Sequence, residues 1–198
     1  VSKLTRDSAR NGVSISSSTP TLSGTMTGIA ATGTYNIQVT QLAQAQTTAL
    51  GGAGGAALPK DQPMGAGTIK LTMGTESKDI AIESSDTLTK IATKINEAGM
   101  GIQASIVTNV DGQERLMLRS KETGTDKAFT VDLSSAPTAL RQTPTQDAQN
   151  AKVKLNGMEV ESSSNTFANT IPGMSFTVPE LTSTAATLNV KADTEAMK

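Results

Sequence analysis

The chain contains neither cysteine nor histidine, and each absence removes a class of chemistry. Without thiols there is no disulfide framework, no thiolate zinc site and no cysteine nucleophile. Without imidazole the commonest general base and metal ligand near neutral pH is gone, so few hydrolytic or metal-dependent mechanisms survive. Tryptophan is missing as well, and the aromatic share is 2%, one Tyr and three Phe, so a core must be built from Val, Ile, Leu, Met and Ala and its stability should be modest. So few rings provide no stacking platform for single-stranded nucleic acid. With 17 basic against 18 acidic residues a phosphate backbone meets no electropositive stripe either. No apolar run approaches the roughly 20 residues of a bilayer span, and the stretch from Val1 to Asp7 lacks the apolar centre of a signal peptide. Neither nucleic acid nor membrane is expected as a partner, and no cleavable signal is expected. With no such apolar run the chain is expected to be soluble, and its start at Val1 rather than at methionine, together with polar ends, suggests an excised fragment.

Carboxylates are the remaining candidates for bond-making chemistry. Glu76, Asp79 and Glu83 lie on or near expected strands, while Asp111 and Glu114 flank a turn; none sits in the apolar, ring-rich setting that perturbs a catalytic acid, so all five read as solvated surface. The segment Asp111-Gly-Gln-Glu114 lacks the alternating oxygen ligands of a calcium loop. Gly51-Gly52-Ala-Gly54-Gly55 lacks the Gly-Lys-Ser/Thr ending of a phosphate loop and reads as flexible linker. Catalytic, cofactor-binding and metal residues are therefore expected to be none. Tyr35 is expected at a half-buried strand position with its hydroxyl in solvent, and most of the eight methionines are expected to fill gaps in a ring-poor core.

Strand periodicity dominates the pattern. Val13 and Ile15 alternate, an extended segment runs from Leu22 toward Ile29, and Tyr35, Ile37 and Val39 place one apolar face against a wet face of Thr34, Asn36, Gln38 and Thr40. The Gly- and Pro-rich stretch from Gly51 to Gly67 is expected to be the crossing between domains. Ile69 with Leu71, and Ile80 with Ile82, open two strands. Leu88, Ile91, Ala92 and Ile95 then fall on one helical face, with Asp86 expected as the N-cap and Gly99 as the left-handed stop. Ile102, Ala104 and Ile106, a turn at Asp111-Gly112, and Leu116 with Leu118 read as a hairpin. A strand through Phe129, Val131 and Leu133 is expected to close this one small sheet, across which the helix packs. Residues 134–150 read as a return linker. Val153 to Val160 around Asn156-Gly157 form a two-residue-loop hairpin, Ser164 to Val178 a turn or helical piece followed by a strand, and Leu188 with Val190 a last strand. The expected fold is α+β, mostly β: two small strand-rich domains, with a discontinuous β-rich domain at 1–47 plus 146–198 and an α+β domain with a helix on a sheet inserted at 48–145.

The run from Gly33 to Gln46 resembles the pattern G-x-Y-x-I-x-V-x-Q-L-A-Q-A-Q of the flagellar filament capping (hook-associated protein 2) family. Ser164, Asn165, Ile171, Pro172 and Gly173 resemble a second motif of that family, with Val178 where the family has Leu. Between them, Thr87-Leu88, Ile91, Ile95-Asn96-Glu97-Ala98, Gly101-Ile102, Ala104-Ser105-Ile106, Arg115 to Ser120 and Thr123-Gly124 resemble the "hook IN" motif shared by outer domains of axial flagellar proteins. The resemblance implies the head of a cap subunit, extracellular at the distal tip of the bacterial flagellum and exported without a cleavable signal peptide, helping exported flagellin to fold and polymerise. Implied partners are flagellin and other copies of the chain in a ring, with an export chaperone and host mucin as further ones; no cofactor is implied. The family's coiled-coil legs are missing here, so no partner-binding residue is carried over. Two alternatives stay open: another axial component, either a flagellin outer domain or a hook-filament junction protein, and an adhesin head binding host glycan or mucin.

Overall fold

The computed structural model describes residues 13–28, 31–52, 58, 61–108 and 114–192. In chain order its elements begin β1 (Val13–Ser17), β2 (Ser23–Met26), β3 (Gly33–Gln41), β4 (Thr47–Gly51), β5 (Gly67–Met73), β6 (Glu76–Ile82), α1 (Leu88–Glu97), β7 (Ile102–Thr108) and β8 (Glu114–Ser120). They continue β9 (Phe129–Asp132), β10 (Arg141–Gln146), β11 (Ala151–Leu155), β12 (Met158–Ser162), β13 (Thr166–Ile171), β14 (Met174–Thr177) and β15 (Ala186–Ala192). The fold is mostly β with a single α-helix among the described residues. The chain divides into two compact units, Val1–Gln44 with Asn150–Lys198, and Ala45–Gln149.

In the first unit an antiparallel sheet runs β1-β15-β3-β11-β12, and a smaller one runs β13-β14-β2. Alternation fixes the sides of β3: Ile37 and Val39 are buried while Thr34, Asn36 and Thr40 are exposed. The β11–β12 hairpin closes through Asn156 (φ 48°) and Gly157 (φ 85°), with Leu155 opposite Met158. Two successive left-handed residues suit the right-handed strand twist, which is why Asn-Gly at this spacing signals the turn. Two of the chain's three phenylalanines, Phe167 on β13 and Phe176 on β14, stack with ring centroids 5.0 Å apart at the centre of this core.

The segment from Ser164 to Val178, expected to begin as a turn or helical piece, is instead a β-hairpin about Pro172-Gly173. A register shift between Ala168 and Ile171, with Asn169 at φ 59°, breaks the two-residue period and so hides the strand from periodicity.

The second unit holds two sheets rather than one, β10-β4-β8-β7 and β6-β5-β9. The strand through Phe129 pairs with β5 and not with the β7–β8 hairpin, because Met73 and Leu71 supply its register partners. The Gly- and Pro-rich stretch is not the crossing: β4, ending at Gly51, already lies between β10 and β8 inside this unit, and the chain passes from one unit to the other between Gln44 and Ala45. Residues 134–150 are not a plain linker either, since they contain β10. That strand is wholly exposed and carries Pro144, the signature of a sheet edge without an apolar period. The turn at Asp111-Gly112 lies outside the described residues.

Helix α1 buries Leu88, Ile91, Ala92 and Ile95. Full burial of Leu88, Ile91 and Ile95 contributes about 5–9 kcal/mol as an upper estimate. Its N-cap is Thr87, whose Oγ1 accepts from Lys90 N–H at 3.3 Å, not Asp86. Gly99, at φ 68°, reverses the chain after the last turn.

Candidate functional site

The carboxylates do not converge. Glu76, Asp79 and Glu83 are exposed, and Glu76 pairs with Lys78 at 3.6 Å. Glu114, half-buried at the start of β8, accepts from Thr108 Oγ1 at 3.5 Å, and Asp111 lies outside the described residues. Thr21 Oγ1 donates to Glu180 Oε1 at 2.8 Å on the exposed surface. Among the described residues no three acidic side chains gather to hold a metal ion, and no helix is long and apolar enough to cross a membrane. The Ile91/Ile95 stripe is fully buried and is therefore core. Tyr35 is half-buried, with its hydroxyl donating to Ala31 O at 3.2 Å.

Asp86 is the acid that sequence reasoning placed in the wrong role. It is 5% exposed, and its Oδ2 accepts from Glu83 N–H at 2.8 Å and from the Lys94 ammonium. The Lys94 hydrogen bond, reinforced by that N–H, holds its carboxyl below the usual carboxylate range despite burial. Lys94 also donates to Ala81 O at 3.0 Å, so this ion pair ties α1 to β6 and to the turn between them. A partner eight positions along the chain carried no local signal.

The amides of the motif segments are the side chains with the most definite work. Gln46 Nε2 donates to Phe129 O at 2.7 Å and its Oε1 accepts from Phe129 N–H at 2.8 Å. Its main chain meanwhile exchanges bonds with Ser120 at 3.0 Å each, so one residue joins the two sheets of the second unit. Asn96 makes the same paired contact with Ala104 on the edge strand β7, both at 2.8 Å, and so ties α1 to that strand. In the first unit Asn165 Oδ1 accepts from Ala43 N–H at 2.7 Å while its carbonyl accepts from Val178 N–H at 2.9 Å. Gln41 Nε2 donates to Asn150 O at 2.7 Å, holding together the two points where the chain leaves and re-enters that unit. Each primary amide offers a donor and an acceptor side by side, which matches one residue of unpaired backbone. The strand motif around Gly33–Gln46 is thus half alternation and half backbone clamps.

The outward face of the five-stranded sheet is polar: Thr34, Asn36 and Thr40 on β3 stand beside Lys154 and Glu159, and Thr34 Oγ1 donates to Asn189 Oδ1 at 2.8 Å. Single large apolar side chains reach solvent at Val107, Met158 and Leu181. Such an arrangement suits contacts made by surface shape and hydrogen bonding.

Comparison with known proteins gives three family matches in chain order. Residues 1–46 match the Flagellar hook-associated protein 2 N-terminus, 68–122 the Flagellin hook IN motif, and 148–198 the Flagellar hook-associated protein 2 C-terminus. The chain is 34% identical to flagellar hook-associated protein 2 of Escherichia coli K12 over 179 residues, covering 80% of this chain and 37% of that protein. It is 30% identical to B-type flagellar hook-associated protein 2 of Pseudomonas aeruginosa PAO1, covering 92% of this chain and 44% of that protein. The chain thus spans less than half the length of these curated relatives. The crystal structure of the D2-D3 domains of the flagellar cap protein FliD from E. coli superposes with a TM-score of 0.78 at 28% identity, covering 90% of this chain and 98% of that one.

Proposed function

Because the chain belongs to the flagellar hook-associated protein 2 family, we propose that it is the head of a cap subunit at the distal tip of a bacterial flagellum, where it helps exported flagellin fold and add to the filament. The observation that carries this is the order of the matches: hook-associated protein 2 segments at 1–46 and 148–198 flank the hook IN segment at 68–122. A hook IN segment alone would fit any axial component; the two flanking segments favour the cap over a flagellin outer domain, a junction protein or an adhesin.

The head acts by surface rather than by bond-making. Its polar sheet face offers hydroxyl and amide groups that exchange with water at little net cost, which favours contacts weak enough to be released as each subunit is added. Copies of the chain assemble with one another at the tip, and flagellin is the molecule they handle. Export proceeds without a cleavable signal peptide and with the chain unfolded, a passage compatible with a protein that has no disulfide to reduce.

Deleting the gene that encodes the full-length protein tests this directly. In an otherwise motile strain the deletion cells then release monomeric flagellin into the medium and carry stunted or no filaments, and the full-length gene on a plasmid restores the filaments. Normal filaments in the deletion strain reject the proposal.

A further inference from the structure

The sheet β6-β5-β9 ends at β6, whose neighbour among the described residues is β5 alone. Two separate hydrogen bonds show which backbone groups face the open side. Ala81 O accepts from Lys94 Nζ at 3.0 Å, so that carbonyl points away from β5. Thr68, the register partner of Ala81, donates its N–H to Ser135 O at 2.7 Å, away from β6. Thr68 and Ala81 are therefore a non-hydrogen-bonded pair, and the two-residue repeat turns the N–H and C=O of Ser77 and Asp79 outward as well. Between this edge and the end of α1 runs a groove of about 570 Å³, lined by Ser77–Ala81 and by Lys94, Glu97 and Ala98. Lys78 reaches across it to donate to Ala98 O, and Lys94 holds Asp86 and Ala81.

We propose that this groove takes an extended segment of another polypeptide, which adds to β6 as an antiparallel strand. An open strand edge flanked by a helix is the geometry of strand addition, in which main-chain bonds hold the peptide and alternate side chains select it. The outward N–H and C=O of Ser77 and Asp79 pair with the incoming backbone, and Lys94 keeps Ala81 O. Five residues of strand at 3.4 Å each span roughly 17 Å, the run from Ser77 to Ala81. Asp79, exposed on the face away from the core, selects Lys or Arg opposite it. On the helix side Ile80 and Ala98 offer a small apolar floor, so the segment alternates aliphatic and basic residues and has no proline at the paired positions. A second copy fits less well. Two-fold pairing sets residues of like parity opposite one another, so registers centred in the groove put Lys78 against Lys78 or Asp79 against Asp79.

The test is a titration of the isotopically labelled chain with the peptide acetyl-Thr-Val-Lys-Val-Thr-amide, followed by amide shifts and hydrogen exchange. Shifts and slowed exchange at the Ser77 and Asp79 amides are expected. The same peptide N-methylated at alternate amides should bind at least tenfold more weakly. Asp79→Lys, at an exposed position, should weaken the unmodified peptide about five- to tenfold, with shifts elsewhere unchanged. No response at millimolar peptide, a response mapping outside β6 and α1, equal binding of the N-methylated peptide, or β6 amides that shift with chain concentration alone would each overturn the proposal, the last in favour of self-pairing.

Discussion

Gln46→Ala separates the clamp account of the motif amides from one in which they merely decorate a strand end. The substitution removes both bonds to Phe129, at 2.7 and 2.8 Å, and leaves the N–H and C=O of a residue that is 3% exposed without partners. Stranding a buried polar group costs about 1–3 kcal/mol, so two adjacent ones should cost about 2–6 kcal/mol. That is a large part of a domain stability of roughly 5–15 kcal/mol. Because the chain divides into two compact units, the assay is urea denaturation with residue-resolved amide exchange rather than one global signal. Protection should fall in β4, β5, β8 and β9 and persist in β3 and β15. Gln46→Glu gives an internal check. Its second oxygen faces Phe129 O as acceptor against acceptor, which raises the folded carboxyl pKa above the unfolded value of about 4.3. The variant is therefore destabilised at neutral pH, and the loss is relieved as pH falls through the folded pKa and the protonated oxygen donates again. A loss below about 0.5 kcal/mol for Gln46→Ala, which is half or less of one ordinary hydrogen bond, would refute the reasoning. So would an equal loss of protection in β3.

Three further outcomes follow from the packing. A Cβ at Gly67 would lie 2.6 Å from Ser135 O and 2.8 Å from Pro137 Cδ, so Gly67→Ala should cost about 1–3 kcal/mol, read as a lower melting midpoint of the second unit. Phe176→Ala empties the ring site stacked on Phe167 and should cost about 3–5 kcal/mol in the first unit, whereas Phe176→Leu should cost markedly less in the same denaturation series. Asp86 has a depressed folded pKa, so its contribution is complete above its unfolded value near 3.8 and is lost as pH falls through the lower folded value. Asp86→Asn should therefore be less stable than the parent chain at pH 7, with the difference shrinking only below about pH 3.8. A difference that stays constant down to pH 2 would rule out the ion pair as its cause.

What was legible in the sequence was local. Helix α1 follows from four apolar residues on one face and a glycine that needs positive φ, and the β11–β12 turn follows from Asn156-Gly157; both are settled within a few residues of chain. The hidden strands each lack the local cue. β10 is polar with Pro144 because it lies on an edge, and β13 is bulged at Asn169. β4 lies in a sheet centre and is buried from Thr48 to Gly51, with a single large apolar side chain at Leu50, so it shows no two-residue alternation. Periodicity marked Phe129 as strand but said nothing of its neighbour, which is β5 on the opposite sheet. The same limit hid the clamps: Gln46 and Phe129 are 83 positions apart, and only the folded chain brings amide to backbone. Asp86 failed for the related reason that a residue before a helix can cap it or pair along it, and the choice depended on where Lys94 pointed.

The most direct measurement is immunogold labelling of intact flagella with an antibody raised against this chain, viewed by electron microscopy. Gold confined to the distal end of each filament is the predicted result. Gold along the shaft, or at the junction with the hook, would contradict a cap and return the chain to the wider group of axial proteins.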